Sequence, residues 1–174
     1  YILFIGRLEV RKNVSRLIEA FYRLRDSGLF GGQLVLVGNP GVGYEEIREM
    51  INKRKVGEYV VHTGHLPSEE RAALFRGARL LAFPSLFEGF GVPILEAFAA
   101  ETPVLTANRG ATAEVAGEAA LLVNPESVHE IHQGMERLLS DTALTKELVG
   151  RGKERLRSYG WQKTAAHIHH LLTA

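Results

Sequence analysis

Residues 79–107 read RLLAFPSLFEGFGVPILEAFAAETPVLTA, and this segment gives the strongest indication of the architecture. It contains two short apolar runs, 79–83 and 103–107, without the polar alternation of a half-exposed strand. Between these runs, Pro93 suits the first turn of a helix, and Thr102 followed by Pro103 ends that helix. The segment is therefore predicted to form a strand, a helix and a second strand parallel to the first.

The same alternation continues along the rest of the chain. Helical patterns separate the strand candidates, and one begins after Asn13, a candidate N-cap, and stops at Gly28. The sequence SVHE at 127–130 has the spacing of a capping box. We predict an α/β fold with three layers and a parallel sheet of about six strands. The further strand candidates are 1–5, 33–37, 59–63 and 119–123.

The composition is that of a single globular domain. The chain has 174 residues, of which 45% are hydrophobic and 24% charged, with a net charge of +1. This balance gives no general attraction to nucleic acid or to anionic membranes. The absence of cysteine excludes disulfides and thiolate metal sites. Because the chain opens on YILFIG, which resembles a core strand, we expect it to be a piece of a longer protein.

The loop after the first strand, GRLEVRKN at 6–13, is a candidate anion site. Gly6 permits a sharp turn, so Arg7 stands at the carboxyl edge of the predicted sheet. Lys12 precedes a helix, so both cations could converge on one anion near a helix N-terminus. The alternative is that they are solvated loop charges, and the sequence leaves both interpretations open.

The loop after the fourth strand carries a second candidate. The residues 89–92 lie at a helix N-terminus, where unpaired backbone N–H groups favour an anion. Glu88 precedes this turn, and Glu96 follows about one turn into the helix. They could form an acid–base pair, but a helix N-terminus favours ionised carboxylates, which accept hydrogen bonds from hydroxyl groups such as those of sugars. Alternatively, Glu96 only complements the helix dipole.

Other motifs are weaker. The three glycines of GNPGVGYEEI, 38–47, do not have dinucleotide-binding spacing, and a flexible turn is the preferred interpretation. Two histidine pairs, at 129 and 132 and at 167 and 170, have no evident third ligand, so no metal site is predicted. His65 follows the third strand at the binding edge and is a candidate for ligand contact. Trp161 is interpreted as a packing anchor.

Three segments together resemble the nucleotide-sugar-binding half of glycosyltransferase family 4, also called group 1. They are GRLEVRKN, PSLFEGFGVPILEAFAAETPVLTAN and EVAGEAALLVNP, and the similarity extends over about residues 1–172. The resemblance implies a GT-B arrangement, in which two Rossmann-like domains face a cleft. Residues 1–174 would form the single C-terminal donor-binding domain, and the N-terminal acceptor domain would lie outside this chain.

The resemblance also implies roles for individual residues. Arg7 and Lys12 match the pair that grips the donor diphosphate, and Glu88 matches the glutamate that contacts hydroxyls of the donor sugar, so these three are the catalytic candidates. Glu96 matches the residue that binds the ribose hydroxyls. The full implied donor site is Gly6, Arg7, Lys12, Glu88, Gly89, Phe90, Gly91, Val92 and Glu96, with Gly38, His65 and Leu66 as candidates for nucleobase contact.

The implied reaction is transfer of a hexose from a nucleoside-diphosphate sugar to a glycan, lipid or small-molecule acceptor, with retention of anomeric configuration. The family needs no metal or cofactor. The segments TAN and EVAGEAALLVNP resemble mannosyltransferase-like members, which favours GDP-mannose over a UDP-sugar. This domain alone is expected to be inactive. We expect the full protein in the cytoplasm or at the cytoplasmic face of the membrane, with any peripheral membrane-binding surface in the other half.

Three alternative functions remain open at this point. A nucleotide-sugar epimerase of similar architecture would act on the donor without an acceptor. A non-catalytic module would bind the nucleotide sugar only. An NAD-dependent oxidoreductase is disfavoured by the glycine spacing and by the lack of an acidic residue after the second strand.

Overall fold

The structure is a computed structural model and describes residues 1–173. Six parallel strands form one sheet in the order β3-β2-β1-β4-β5-β6. The predicted α/β architecture is therefore confirmed. Each strand begins and ends within two residues of the bounds predicted from the sequence. The strands are β1 Ile2–Ile5, β2 Leu34–Val37, β3 Val60–Gly64, β4 Leu80–Phe83, β5 Val104–Ala107 and β6 Leu121–Val123.

Eight α-helices connect and flank these strands in the described part of the chain. Helix α1 packs against α2 and α6, whereas α4 packs against α3, α5 and α7, which gives a layer on each face of the sheet. Short 3-10 turns lie at Val10–Lys12 and Gly117–Ala119. The helices are α1 Val14–Asp26, α2 Tyr44–Arg54, α3 Ser68–Gly77, α4 Val92–Ala99, α5 Gly110–Ala116, α6 Val128–Ser140, α7 Thr142–Leu156 and α8 Trp161–Thr173.

The burial of the strands explains their sequence patterns. All residues of β1, β2, β4 and β5 are buried, because helices cover both faces of the central sheet. The edge strands β3 and β6 include exposed residues. Side chains from the central strands and the facing helices form one continuous hydrophobic core.

Two predicted helix caps have different outcomes. Ser127 accepts a hydrogen bond from the Glu130 backbone N–H at 3.2 Å, so it caps α6 as predicted. Asn13 occupies the N-cap position of α1, as predicted, but its side chain makes no capping bond. Its amide instead donates to the carbonyls of Pro84, at 2.9 Å, and Pro125, at 2.6 Å. These two long-range bonds explain why the side chain is unavailable to the helix.

Within residues 1–173, no other element covers the described side chains of helix α8. All of its described side chains are exposed, and Trp161 is 86% exposed. The prediction that Trp161 anchors packing is therefore wrong for this chain, since no described surface lies against it. No helix in the described residues is long and apolar enough to cross a bilayer.

Candidate functional site

The order of the strands creates a crevice beside β1. From β1 the chain proceeds outward to β2 and β3, and it then returns to form β4 on the other side of β1. β1 and β4 are therefore neighbours, and the loops that follow them at the carboxyl edge lead in opposite directions along the sheet. Ligands of open α/β sheets bind outside this edge, at such a reversal of strand order.

Hydrogen bonds join these two loops across the crevice. The Leu86 backbone N–H donates to the Arg11 carbonyl at 2.8 Å, and Arg11 Nη1 donates to the Phe87 carbonyl at 3.3 Å. The Asn13 amide adds its bond to Pro84 at the end of β4. The two loops thus form one connected wall of the site.

An ion pair lies at the centre of this wall. Lys12 Nζ is 2.5 Å from Glu88 Oε1, and the two side chains are only 10% and 8% exposed. Arg11 Nη1 lies 3.3 Å from the other oxygen, Oε2. A carboxylate offers about four lone-pair sites, so Glu88 can still accept hydrogen bonds from hydroxyl groups. The pairing fixes the orientation of Glu88 before any ligand arrives.

A cleft of about 380 Å³ lies beside the first loop, and Gly6 and Arg7 of that loop line it. Six of the predicted site residues line it, although they come from four different parts of the chain. Lys12 adjoins the cleft, since a Cβ built on Gly6 would lie 3.7 Å from Lys12 Nζ. The lining residues are Ile5, Gly6, Arg7, Val37, Gly38, Asn39, His65, Arg71, Val92, Pro93 and Glu96.

The cleft combines two features that attract anions. Arg7 is exposed and makes no ion pair with any residue that the structure describes. Helix α4 begins at Val92, and Gly91 precedes it in the left-handed region at φ 102°. Among the residues described, the amides of 89–92 donate to no backbone carbonyl. A free guanidinium and open amides at a helix N-terminus are well suited to a phosphate group.

Glu96 meets a cation that the sequence analysis missed. Arg71 Nη2 lies 3.3 Å from Glu96 Oε1, and Arg71 Nη1 donates to the Leu66 carbonyl at 3.3 Å. Arg71 lies in the first turn of α3, just after a loop at the carboxyl edge of the sheet. That placement of a cation is the only signal in the sequence that could have identified it.

The loop at 38–43 is packed against the first loop and is not simply a flexible turn, as the sequence analysis preferred. The Leu8 N–H donates to the Asn39 carbonyl and the Gly41 N–H to the Leu8 carbonyl, both at 2.9 Å. Its glycines are required by close approach. A Cβ on Gly38 would lie 2.1 Å from the Gly6 carbonyl oxygen, and one on Gly43 would lie 2.3 Å from Val10 Cγ2. Backbone atoms therefore form the floor of the cleft.

The two candidates for nucleobase contact that follow β3, His65 and Leu66, have different surroundings. His65 lines the cleft, whereas Leu66 packs against the hydrophobic core and offers its carbonyl to Arg71. His62 supports the floor, since its Nε2 lies 2.8 Å from the Gly38 carbonyl oxygen and its Nδ1 lies 3.0 Å from the Tyr44 hydroxyl. A neutral imidazole protonated on Nε2 satisfies both contacts.

The loop at 89–92, which belongs to the predicted donor site, is packed against Tyr159. Phe90 meets Tyr159 edge to face, with ring centroids 5.8 Å apart and an interplanar angle of 87°. Arg155 lies over the Tyr159 ring at 5.4 Å and donates to the Val115 carbonyl at 3.1 Å. Phe90 itself remains 45% exposed. The loop is therefore supported by Tyr159, which follows α7 and is held by Arg155 of that helix, as well as by α4.

Two other features lie apart from this site. A depression of about 540 Å³ against α7 is lined by charged residues, but Arg151 there pairs with Glu147 at 2.6 Å and with Glu118 at 3.8 Å. Its charges therefore satisfy one another, far from the carboxyl edge of the sheet. Within the described residues, no three His, Cys, Asp or Glu side chains form a group that could hold a metal. The side chain of His167 lies outside the described part.

Comparisons with known proteins show which family the sequence matches. The sequence profile of a family described as glycosyl transferases group 1 matches residues 1–155. The O-antigen chain mannosyltransferase B of Escherichia coli is 30% identical over 162 residues, which are 93% of this chain and 42% of that protein. The MMP alpha-(1->4)-mannosyltransferase of Mycolicibacterium hassiacum is 35% identical over 159 residues, 89% of this chain and 38% of that protein.

The fold also matches a solved structure. The sucrose-phosphate synthase of Thermosynechococcus elongatus superposes with a TM-score of 0.86 at 27% identity, over 99% of this chain and 44% of that one. The chain thus spans about two-fifths of the length of these similar proteins.

Proposed function

Because the chain belongs to the glycosyl transferases group 1 family, we propose that it is the donor-binding half of a retaining glycosyltransferase. It would bind a nucleoside-diphosphate sugar and present its hexose to an acceptor. The acceptor, a glycan, lipid or small molecule, would be held by a second domain outside this chain.

One observation carries this proposal: an anion site and the Glu96 carboxylate line one cleft, and the ion pair of Lys12 and Glu88 adjoins it. Arg7 and the amides before α4 suit the diphosphate, and Glu96 lies in the same cleft. Glu88 lies outside the lining of this cleft and is held by Lys12, whose ammonium lies near Gly6. A nucleoside-diphosphate sugar carries the matching groups in sequence, which are ribose hydroxyls, a diphosphate and sugar hydroxyls.

The arrangement also suits the chemistry of transfer. Breaking the glycosyl–phosphate bond develops negative charge on the diphosphate, and preorganised donors that meet this charge lower the barrier. Arg7 is the cation best placed for this, because Glu88 offsets the charge of Lys12. With Arg7 and the helix N-terminus in place, we propose transfer without a divalent metal.

The donor we propose first is GDP-mannose, with a UDP-sugar as the second choice. Two relatives with identities of 30% and 35% are described as mannosyltransferases, which supports mannose. We place the whole protein in the cytoplasm or at the cytoplasmic face of a membrane, where activated sugars are made.

Calorimetric titration of the chain with GDP, UDP, GDP-mannose and NAD tests the proposal. We expect a nucleoside diphosphate and its sugar to bind and NAD not to bind. Glu96→Gln is expected to weaken binding of the nucleotide. Glu49 is an exposed residue of α2, and Glu49→Gln serves as the matched control. Binding of NAD in place of GDP and UDP would overturn the proposal.

Two assays separate the remaining alternatives. An epimerase would isomerise a nucleotide sugar in the absence of acceptor, whereas a transferase would leave the sugar configuration unchanged. The complete protein should transfer the sugar when an acceptor is supplied, and a binding module would not. Since the proposal assigns the acceptor to a second domain, this chain alone should transfer nothing, and measurable transfer by it would contradict the two-domain interpretation.

A further inference from the structure

Arg71 joins two parts of the cleft that belong to different elements. It lies in the first turn of α3 and donates one hydrogen bond to the Leu66 carbonyl in the loop after β3. Its other terminal nitrogen, Nη2, donates to Glu96 Oε1 on α4. Both distances are 3.3 Å, and the Arg71 side chain is 26% exposed. One planar guanidinium therefore connects the loop at the end of β3 to the carboxylate in the cleft.

The stability of α3 does not explain an arginine at this position. The positive end of the helix dipole lies at the N-terminus, where a cation is unfavourable. Glu69 and Glu70 in the same turn have the charge that the dipole favours, and Arg76 lies in the last turn, where a cation is favourable. Arg71 opposes this pattern, so its contacts across the cleft are the better explanation.

The pairing uses only one of the two carboxylate oxygens of Glu96. Oε1 accepts from Arg71, and Oε2 accepts from no group in the part of the chain that the structure describes. Without Arg71, the carboxylate, whose side chain is 32% exposed, would be free to change rotamer. Arginine suits this task because its rigid planar fork can bond the Leu66 carbonyl and the Glu96 carboxylate at once, which an ammonium on a flexible stem does less well.

We propose that Arg71 is a positioning residue that fixes the Glu96 carboxylate to receive two adjacent ribose hydroxyls of the nucleotide. This inference rests on the proposed function, in which Glu96 binds the ribose. Arg71 acts through Glu96 and is not assigned a contact with the reacting atoms. It also balances the charge of Glu96, so that the carboxylate does not repel the diphosphate beside Arg7.

This role predicts an effect on hydroxyl recognition that is separable from charge and from folding. Removing Arg71 leaves an unpaired carboxylate, which repels any diphosphate whether or not its ribose carries hydroxyls. That repulsion cancels in the ratio of the Kd of a 2′,3′-dideoxynucleotide to the Kd of the normal ribonucleotide. A change in this ratio therefore reports on how Glu96 is held.

The experiment measures this ratio by calorimetry on the full chain, with GDP, UDP and their 2′,3′-dideoxy analogues. For the wild type we expect a ratio of roughly tenfold or more, since a hydrogen bond to a charged group is worth about that factor. Arg71→Met should lower the ratio at least about threefold. In a Glu96→Gln background, adding Arg71→Met should change the ratio less than about twofold, because coupled residues are not additive.

Arg76→Met is the matched control, since it removes a cation from the same helix outside the cleft. It should leave the ratio unchanged. Should Arg71→Met fail to fold, Arg71→Gln, which keeps a polar side chain without the charged fork, gives the same comparison and the same expected fall.

The possible failures are distinct. If Arg71→Met weakens both nucleotides equally and the ratio stays at the wild-type value, the positioning role is overturned while the proposed function stands. If the wild type does not distinguish dideoxynucleotides from ribonucleotides, the ribose role of Glu96 fails and the inference fails with it. If neither GDP nor UDP binds, the proposed function itself is overturned.

Discussion

Lys12 and Glu88 are 76 residues apart in the chain, yet their charged atoms lie 2.5 Å apart in a nearly buried ion pair. The pair joins the loop after β1 to the loop after β4, at the point where the strand order reverses. Each group therefore has two tasks. It contributes to the proposed donor site, and it keeps the two loops in register.

Replacing Lys12 by methionine should destabilise the protein. The change leaves Glu88 buried with only Arg11 as a partner, and breaking a buried pair from one side costs about 3 kcal/mol. Urea denaturation followed by circular dichroism would measure the loss. The double variant Lys12→Met with Glu88→Met should recover part of the stability, because no buried charge is then left alone.

Arg11→Met is the control for this prediction. Arg11 pairs with the same carboxylate, but its side chain is 47% exposed, so solvent screens the interaction and the cost should be below about 1 kcal/mol. Equal losses for Lys12→Met and Arg11→Met would contradict the importance assigned to burial.

Arg7→Ala should impair transfer without impairing folding. Arg7 is exposed and unpaired among the described residues, so the melting temperature should hardly change. In the complete enzyme we expect kcat/KM to fall by roughly 10²–10³-fold, the usual effect of losing one donor to a developing charge. Nucleotide release during transfer gives the measurement. Arg48 is an exposed residue of α2, and Arg48→Ala is the control. Near-normal activity of Arg7→Ala would contradict the proposal that Arg7 stabilises the charge on the diphosphate.

Gly38→Ala should be severely destabilising. Its φ is 142°, and a Cβ there would lie 2.1 Å from the Gly6 carbonyl oxygen, a clash with main chain that no side-chain rotation can relieve. We expect a loss above about 3 kcal/mol or failure to fold. Gly31→Ala is the matched control, because nothing lies within 4 Å of its added Cβ, and its stability should change by less than about 1 kcal/mol. Similar denaturation midpoints for the two variants would show that the loops separate easily.

Tyr159→Leu should loosen the loop at 89–92. It removes the edge-to-face contact with Phe90, which is worth about 0.5–1.5 kcal/mol beyond the area it buries. Amide hydrogen exchange in this loop should become faster. Tyr159→Phe keeps the ring and loses only the hydroxyl bonded to Arg155, so exchange in the loop should stay close to the wild type. Unchanged exchange in both variants would mean that α4 alone holds the loop.

The strands and helices could be predicted from the sequence because their signals are local. A buried strand is recorded as a continuous apolar run, as in β2 at Leu34–Val37. Ser127 precedes α6 with its capping partner three residues later, which is also a local pattern. The alternation of strands and helices predicted that the loops after the strands share one edge of the sheet, and the family resemblance supplied the individual residues, six of which line one cleft.

The pairings within the site could not be predicted because they are long-range. Nothing near Lys12 or Arg71 indicates that each meets a glutamate from the loop or helix after β4. The Asn13 side chain was assigned to the nearest helix, whereas it bonds carbonyls 71 and 112 residues away. The glycines of 38–43 were interpreted from spacing, but their cause is contact with the first loop.

The crevice has a floor of main chain and a rim of side chains. At Gly38 the backbone lies so close to Gly6 that position 38 has no room for a Cβ. Asn39, His65 and Arg71 also line the cleft, and each of these side chains can be changed by a substitution at one position. Selection can therefore alter the rim one residue at a time without disturbing the floor. Under the proposed function, the nucleotide preference of this domain can therefore change while the fold stays the same.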